Sequence, residues 1–241
     1  ETADGDTIML MPGTYDHYKN RNLDFQDDYD GSGVRNLTLI SKYGPDITII
    51  ELAGNDFIDF NSGEDNSSKI SGLTIQNSNS GAVHIWFSSP EIENCIFLNN
   101  QNDANGGAIN IGTNGGVVSI SNTLFDGNST TLGTGNRGGA ISMGVDGSKV
   151  YVENCIFYGN SSDDIGGGIN QEFSTNLVIV QSLFLNNTTN TSWGGAGIHS
   201  SAGNYDNGNI TIINSIFAGN ANTSSSTESD VSTSFYNMDI D

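Results

Sequence analysis

Apolar positions in this chain recur as a short fixed phrase, not with a helical period. From Ile92 the order is aliphatic, any, Asn, small, aliphatic, Phe, any, any, Asn: Ile92-x-Asn94-Cys95-Ile96-Phe97-x-x-Asn100. It returns as Ile120-x-Asn122-Thr123-Leu124-Phe125-x-x-Asn128 and as Val152-x-Asn154-Cys155-Ile156-Phe157-x-x-Asn160. Two more copies are Ile179-x-Gln181-Ser182-Leu183-Phe184-x-x-Asn187 and Ile212-x-Asn214-Ser215-Ile216-Phe217-x-x-Asn220. A degenerate earlier copy runs from Ile70 to Asn77, read with Thr74 in the Phe place and Asn77 closing it. A second phrase lies between copies: Gly106-Gly107-Ala108-Ile109, Gly138-Gly139-Ala140-Ile141, Gly166-Gly167-Gly168-Ile169 and Gly195-Ala196-Gly197-Ile198. Each phrase is a brief β-prone run stopped by Gly or Asn.

Spacing between phrases wanders by several residues while each phrase keeps its internal register. A sandwich or barrel would show evenly spaced strands without a shared phrase in each. A coil whose loops vary and whose strands stack explains both features, each turn climbing about 4.8 Å and pairing its backbone with the turns above and below. Identical positions then form ladders. The closing asparagines predict a buried amide ladder, in which each side chain donates to one neighbour and accepts from the other. The earlier column, Asn94, Asn122, Asn154, Gln181 and Asn214, predicts corners in the left-handed backbone region that Asn tolerates. The Phe column predicts interior ring stacking, and the Gly pairs predict corners that a Cβ would obstruct.

Cys95 and Cys155 share one column, with Thr123 holding it in the coil between. Two coils separate them by about 9.6 Å, beyond disulfide reach. Two free interior thiols follow, filling a small slot that Ser or Thr fills elsewhere.

Composition agrees with a turn-rich β chain: 31 Gly and only 3 Pro in 241 residues. Acidic residues outnumber basic ones 28 to 7, for a formal charge of −21. Such a surface repels phosphate backbones and anionic lipid, which argues against nucleic acid as a partner. No run of apolar residues has the length of a membrane span, so no direct membrane insertion by this segment is expected. The chain begins inside a running pattern, "ETADGDTIMLMPGTY", as an excised or processed piece would.

F-x-x-N alternating with G-G-A-I resembles the repeat pair of chlamydial polymorphic outer-membrane proteins and of adhesin-like surface proteins. "DGDTIMLMPGTY", Asp4 to Tyr15, is similar to the phrase that opens many pectate-lyase-like domains. The resemblance covers nearly the whole chain and implies an exported surface protein. It also implies handedness: an all-β, single-stranded right-handed parallel β-helix of about eight coils. Residues 1–66 are expected to form less regular opening coils with an acidic loop, and residues 67–241 the repeats, in one continuous domain.

Because pectate lyases and polygalacturonases share that architecture, catalysis needs weighing. Lyase chemistry requires calcium on carboxylates and a Lys or Arg base. The cations, Lys19, Arg21, Arg35, Lys42, Lys69, Arg137 and Lys149, sit in no recognisable catalytic phrase. Hydrolysis requires two placed carboxylates. Asp163-Asp164 is the one acidic dipeptide within the repeats, and as a solvated loop tip it needs no catalytic role. His84 and His199 follow the Gly phrase or its equivalent, and His17 lies in the opening loop. Convergence is what a metal or triad demands, and surface or pocket histidines coils apart do not supply it. The best metal candidate is "DFQDDYDGSG": Asp24, Asp27, Asp28 and Asp30 before a Gly-Ser-Gly turn suit calcium, although a solvated acidic loop accounts for them too. Of the Asn-x-Ser/Thr sites, loop positions Asn66, Asn190 and Asn222 are the accessible acceptors.

Strand alternation sends the neighbours of the inward Phe outward: Ile96/Leu98, Leu124/Asp126, Ile156/Tyr158, Leu183/Leu185 and Ile216/Ala218. An apolar ladder on an acidic rod suits a contact face. The expected function is an extracellular structural or adhesive solenoid segment of a cell-surface or secreted protein, self-associating or meeting cell-surface protein or glycan. The alternative is a carbohydrate-active enzyme of the lyase or glycoside hydrolase type.

Overall fold

A computed structural model describes residues 3–25, 33–112, 116–131, 135–144, 147–191, 194–201, 208–225, 227–233 and 238–240. The strands form a parallel solenoid of three long sheets and a short corner sheet. The first sheet holds nine strands, from Thr7–Leu10 through Glu91–Glu93 and Lys149–Glu153 to Met238–Ile240. The second holds eight, from Gly13–Tyr15 through Ile96–Leu98 to Ile216–Ala218, and carries the Phe phrase. The third holds eight, from Leu23–Asp24 through Val83–Ile85 and Ile169–Gln171 to Val231–Thr233, each repeat strand following the Gly phrase. Eight coils therefore visit the second and third sheets, separated by seven complete steps.

Register is the feature on which the rest depends. Phe97 pairs with Phe125, Phe125 with Phe157, Phe157 with Phe184 and Phe184 with Phe217. Their rings stack with centroids 5.1, 4.7, 4.5 and 4.8 Å apart and planes within 8° of parallel. Stacked aromatic pairs add about 0.5–1.5 kcal/mol each beyond the area they bury. Three residues on, Asn100, Asn128, Asn160, Asn187 and Asn220 are wholly buried. Each amide Nδ2 from Asn100 to Asn187 donates to the next Oδ1 at 2.9–3.0 Å. The same Nδ2 also donates to a backbone carbonyl of the coil before, that of Phe97 for Asn128 and of Phe125 for Asn160. Each Oδ1 from Asn128 to Asn220 further accepts the backbone N–H of the preceding asparagine. From Asn128 to Asn220 two donors and two acceptor sites per amide are thus all used, which is the condition for burying so polar a group. Asp230 accepts from the last Nδ2 at 2.9 Å and closes the ladder.

The degenerate copy is in a different phase from the one its letters suggest. Ile75, not Thr74, lies beside Phe97, and Thr74 pairs with Ile96. Ser78, not Asn77, then takes the ladder place, its buried N–H donating to Asn100 Oδ1 at 3.1 Å. Asn77 is instead a corner residue at φ +63°.

Corners explain the remaining consensus letters. Asn94, Asn122, Asn154, Gln181 and Asn214 have φ between +48° and +52°. A second left-handed column stands just before the buried asparagines: Asn99, Gly127, Gly159, Asn186 and Gly219. In the Gly phrase the first glycine turns the chain, Gly138 at φ +72°, while the second is held by crowding. A Cβ on Gly139 would fall on the backbone oxygens of Gly167 and Ser161. Backbone meets backbone there, and no side chain can yield.

Cys95 and Cys155 are free, interior and in the Thr123/Ser182/Ser215 column. Each Sγ lies near the carbonyl two residues earlier, at 3.2 and 3.3 Å, the contact that Thr123 and Ser182 hydroxyls make at 2.8 and 3.0 Å. Burial pushes both thiols up to about 12. The tail adds strands to the first and third sheets, while Thr227–Glu228 folds back antiparallel on Ala221–Asn222. Asn222 is buried, with Oδ1 accepting from Ser224, so it is not the accessible glycan acceptor the loop reading expects.

Candidate functional site on the outer side of the third sheet

Alternation in the third sheet points Ile and Val inward and leaves one outward residue per coil. Register aligns these as Asp24, Asp59, His84, Asn110, Ser142, Asn170, His199 and Ser232. His84 and His199 therefore share one column, four coils apart. Outward does not mean exposed: Ser142, Asn170 and His199 are 2% accessible or less.

Over the later coils the covering layer is charged. Arg137 Nε lies 3.3 Å from Asp164 Oδ2, and its Nη1 contacts Glu172 Oε1. Asp164 is thereby buried and paired, not the solvated loop tip that Asp163-Asp164 suggested. His199 Nδ1 meets Ser232 Oγ at 2.7 Å. Burial, and secondarily the charge of Arg137, lower His199 to about 4, so the ring is neutral near pH 7. Asn170 Nδ2 reaches Ser142 Oγ at 3.4 Å, while its buried Oδ1 has no hydrogen-bond partner among the described residues. An arginine paired to two carboxylates and a buried neutral histidine bonded to Ser232 are accounted for structurally.

The earlier end of the column is different. Asp59 is held outward between the fully buried Ile58 and Phe60, and His84 stands beside it one coil on. Asp56 joins them from the turn before that strand. Asp56, Asp59 and His84 each offer one ligand atom, all within 4.8 Å of one another. Asp59 is raised above the usual carboxylate range, by burial first; the charges of Asp56 and Asp24 add to that rise and His84 opposes it. Its Oδ1 is sealed from solvent with no hydrogen-bond partner among the described residues. His84 Nε2 lies 3.0 Å from the Ser80 carbonyl oxygen. A carbonyl only accepts, so Nε2 carries a proton, and in the neutral ring Nδ1 keeps the lone pair.

Of the four aspartates read as a calcium loop, Asp24 heads this same column, with Asn61 Nδ2 3.5 Å from its Oδ2. Asp27, Asp28 and Asp30 lie outside the described residues. Asp56 and Asp59 escaped sequence reasoning because the early coils lack the repeat phrase. The alternation Ile58-x-Phe60 against Val83-x-Ile85 was the available signal.

The description "right handed beta helix region" fits residues 57–240, more than half of the chain. The chain belongs to the right-handed β-helix family. No curated protein and no solved structure matches it. No helix among the described residues is long and apolar enough to cross a membrane.

Two further outer surfaces of the β-helix are distinctive. Glu91, Glu93, Ser119, Tyr151 and Glu153 line a shallow groove of about 350 Å³ on the first sheet. Lys69 bridges Glu91 at 2.9 Å and Glu93 at 3.4 Å, and its ammonium is raised chiefly by the bond to Glu91. On the second sheet the apolar stripe does face outward: Ile156, Tyr158 and Ile216 are 38%, 45% and 59% exposed. Next to His84, Trp86 and Phe87 are also exposed, and Phe87 holds φ +57°, a strained value for a bulky residue.

Proposed function

We propose that this β-helix is an extracellular structural and adhesive segment of a cell-surface or secreted protein. Its partners are copies of itself or surface protein and glycan. The observation that carries the reading is the unbroken interior: one Phe stack and one amide ladder run through successive coils while the loops between them vary in length. Such a scaffold tolerates loop change without core change, which suits display. The exposed apolar stripe supports lateral association, and a charge of −21 supports a solvated surface role. Resemblance to adhesin-like repeats points the same way. Light scattering across a concentration series, with negative-stain imaging, tests it. Association that is abolished by Ile156→Glu and Ile216→Glu is the expected result. A strict monomer with no binding to glycan or cell-surface panels would remove the proposal.

The alternative, a carbohydrate-active enzyme, is favoured by one observation: Asp56 and Asp59 converge on His84, whose strand runs on into exposed Trp86 and Phe87. A raised Asp59 suits a general acid, and aromatic faces suit sugar rings. Release of reducing ends from a polysaccharide panel, lost in Asp59→Asn, would establish it.

A further inference from the structure

The geometry points to a divalent transition-metal site at Asp56, Asp59 and His84, with zinc as the ion its donors suit best. Three donors of two chemical kinds come from two coils and one turn, so the arrangement is a product of coil stacking and not of a local acidic run. Around a tetrahedral zinc ion, oxygen and nitrogen ligands lie about 3.3 Å from each other. The present separations are all within 4.8 Å, so the donors draw together when they take up an ion.

Three features of the trio fit a cation. The Asp59 Oδ1 is removed from water and takes no hydrogen bond among the described residues. A buried carboxylate oxygen without a hydrogen bond is a group that a metal ion satisfies. Asp24 is the register neighbour of Asp59 on the opposite side from His84, so a third carboxylate stands in the same column and adds to the negative charge a cation would meet. The Ser80 carbonyl accepts a hydrogen bond from His84 Nε2–H, the outer-shell arrangement that fixes a ligating imidazole's tautomer.

The donor set selects the ion. An imidazole nitrogen with two carboxylates suits zinc, or manganese as a weaker second, and does not suit calcium, which takes oxygen ligands. Three protein ligands leave a fourth position for water. Elsewhere the competitors are weak. Cys95 and Cys155 are interior and held protonated, and His199 is buried against Ser232. His17 accepts the Lys19 N–H and makes a tilted ring contact with Tyr18.

Isothermal titration of the chelator-stripped full chain with zinc chloride, paralleled by cobalt(II) absorption, is the test. One ion per chain is expected, with cobalt showing the intense visible bands of low coordination number. His84→Ala and Asp59→Asn each weaken binding at least tenfold, while His17→Ala leaves it within twofold. Asp56→Asn gives an independent third reading should His84→Ala fail to fold, and circular dichroism of each variant settles that point. Several weak ions per chain, indifferent to His84→Ala and Asp59→Asn, would mean scattered binding on an acidic surface and would overturn the site. Calcium binding that outcompetes zinc would overturn it equally.

Discussion

Truncating Asn160 to Ala attacks the interior ladder at its middle. In the native coil its Nδ2 donates to Asn187 Oδ1 and to the Phe125 carbonyl, both at 3.0 Å. Its Oδ1 accepts the Asn128 N–H at 2.9 Å and the Asn128 Nδ2 at 3.0 Å. Asn187 Oδ1 keeps the backbone N–H of residue 160 after truncation, at 3.0 Å, so it is only half deprived. Asn128 fares worse: two donors lose their acceptor in a site with no access to water. An unsatisfied buried donor costs about 1–3 kcal/mol, which puts the loss at about 2–6 kcal/mol before any cavity term. Asn122→Gly is the control, removing an exposed side chain at φ +49° and one exposed hydrogen bond, for a change of about 0.5 kcal/mol. Urea unfolding followed by circular dichroism measures both. Stacked coils can unfold in parts, so amide exchange at Asn128 supplies the local reading. A loss under about 1 kcal/mol for Asn160→Ala, indistinguishable from Asn122→Gly, would refute the claim that the ladder is saturated and dry.

Other outcomes follow from the same structure. Gly139→Ala costs about 3 kcal/mol or more because its Cβ meets backbone, whereas Gly144→Ala, facing only the end of Glu172, stays within about 1 kcal/mol; equal thermal shifts would contradict this. His199, held near 4 in the fold against about 6.5 unfolded, makes the unfolded chain the better proton acceptor between those values. Stability from this group is therefore complete above about pH 6.5 and falls by about 3 kcal/mol as pH drops to 4. His199→Gln flattens that part of the melting curve against pH, and an unchanged slope would exclude the histidine as its source. Native Cys95 and Cys155 resist a thiol reagent that labels both after denaturation, and Cys155→Ser changes stability by about 1 kcal/mol or less because Ser182 fills the same slot one coil on. Rapid native labelling would refute their placement.

What was legible in the letters was whatever repeats. Phe97 to Phe217, Asn100 to Asn220 and the Gly phrases share an environment in every coil, so the same residue solves the same problem each time. The first coils repeat the geometry without the letters: Ile75 and Ser78 meet the interior demands of Phe and Asn, and the phase had to come from register. The column before the buried asparagines hid because Asn and Gly share it, both tolerating left-handed backbone. The site on the third sheet hid for a third reason. Asp56 and Asp59 meet His84 only across a coil, and Arg137 reaches Asp164 and Glu172 across loops of unequal length. Sequence spacing does not report either distance.

Register itself is open to direct test by cross-linking on the outer stripe, in a Cys95→Ser, Cys155→Ser background. Ile156 and Leu183 are paired neighbours on adjacent coils. Cysteines there sit about 4.8 Å apart between Cα atoms, within disulfide range. Moving one partner to Leu185 adds a two-residue offset and stretches the separation to about 8 Å, out of range. Stacked coils predict rapid oxidation of the 156/183 pair, seen as a linked peptide by mass spectrometry, and none for 156/185. Equal linkage of both pairs, or linkage of the offset pair alone, would contradict the stacking of equivalent residues.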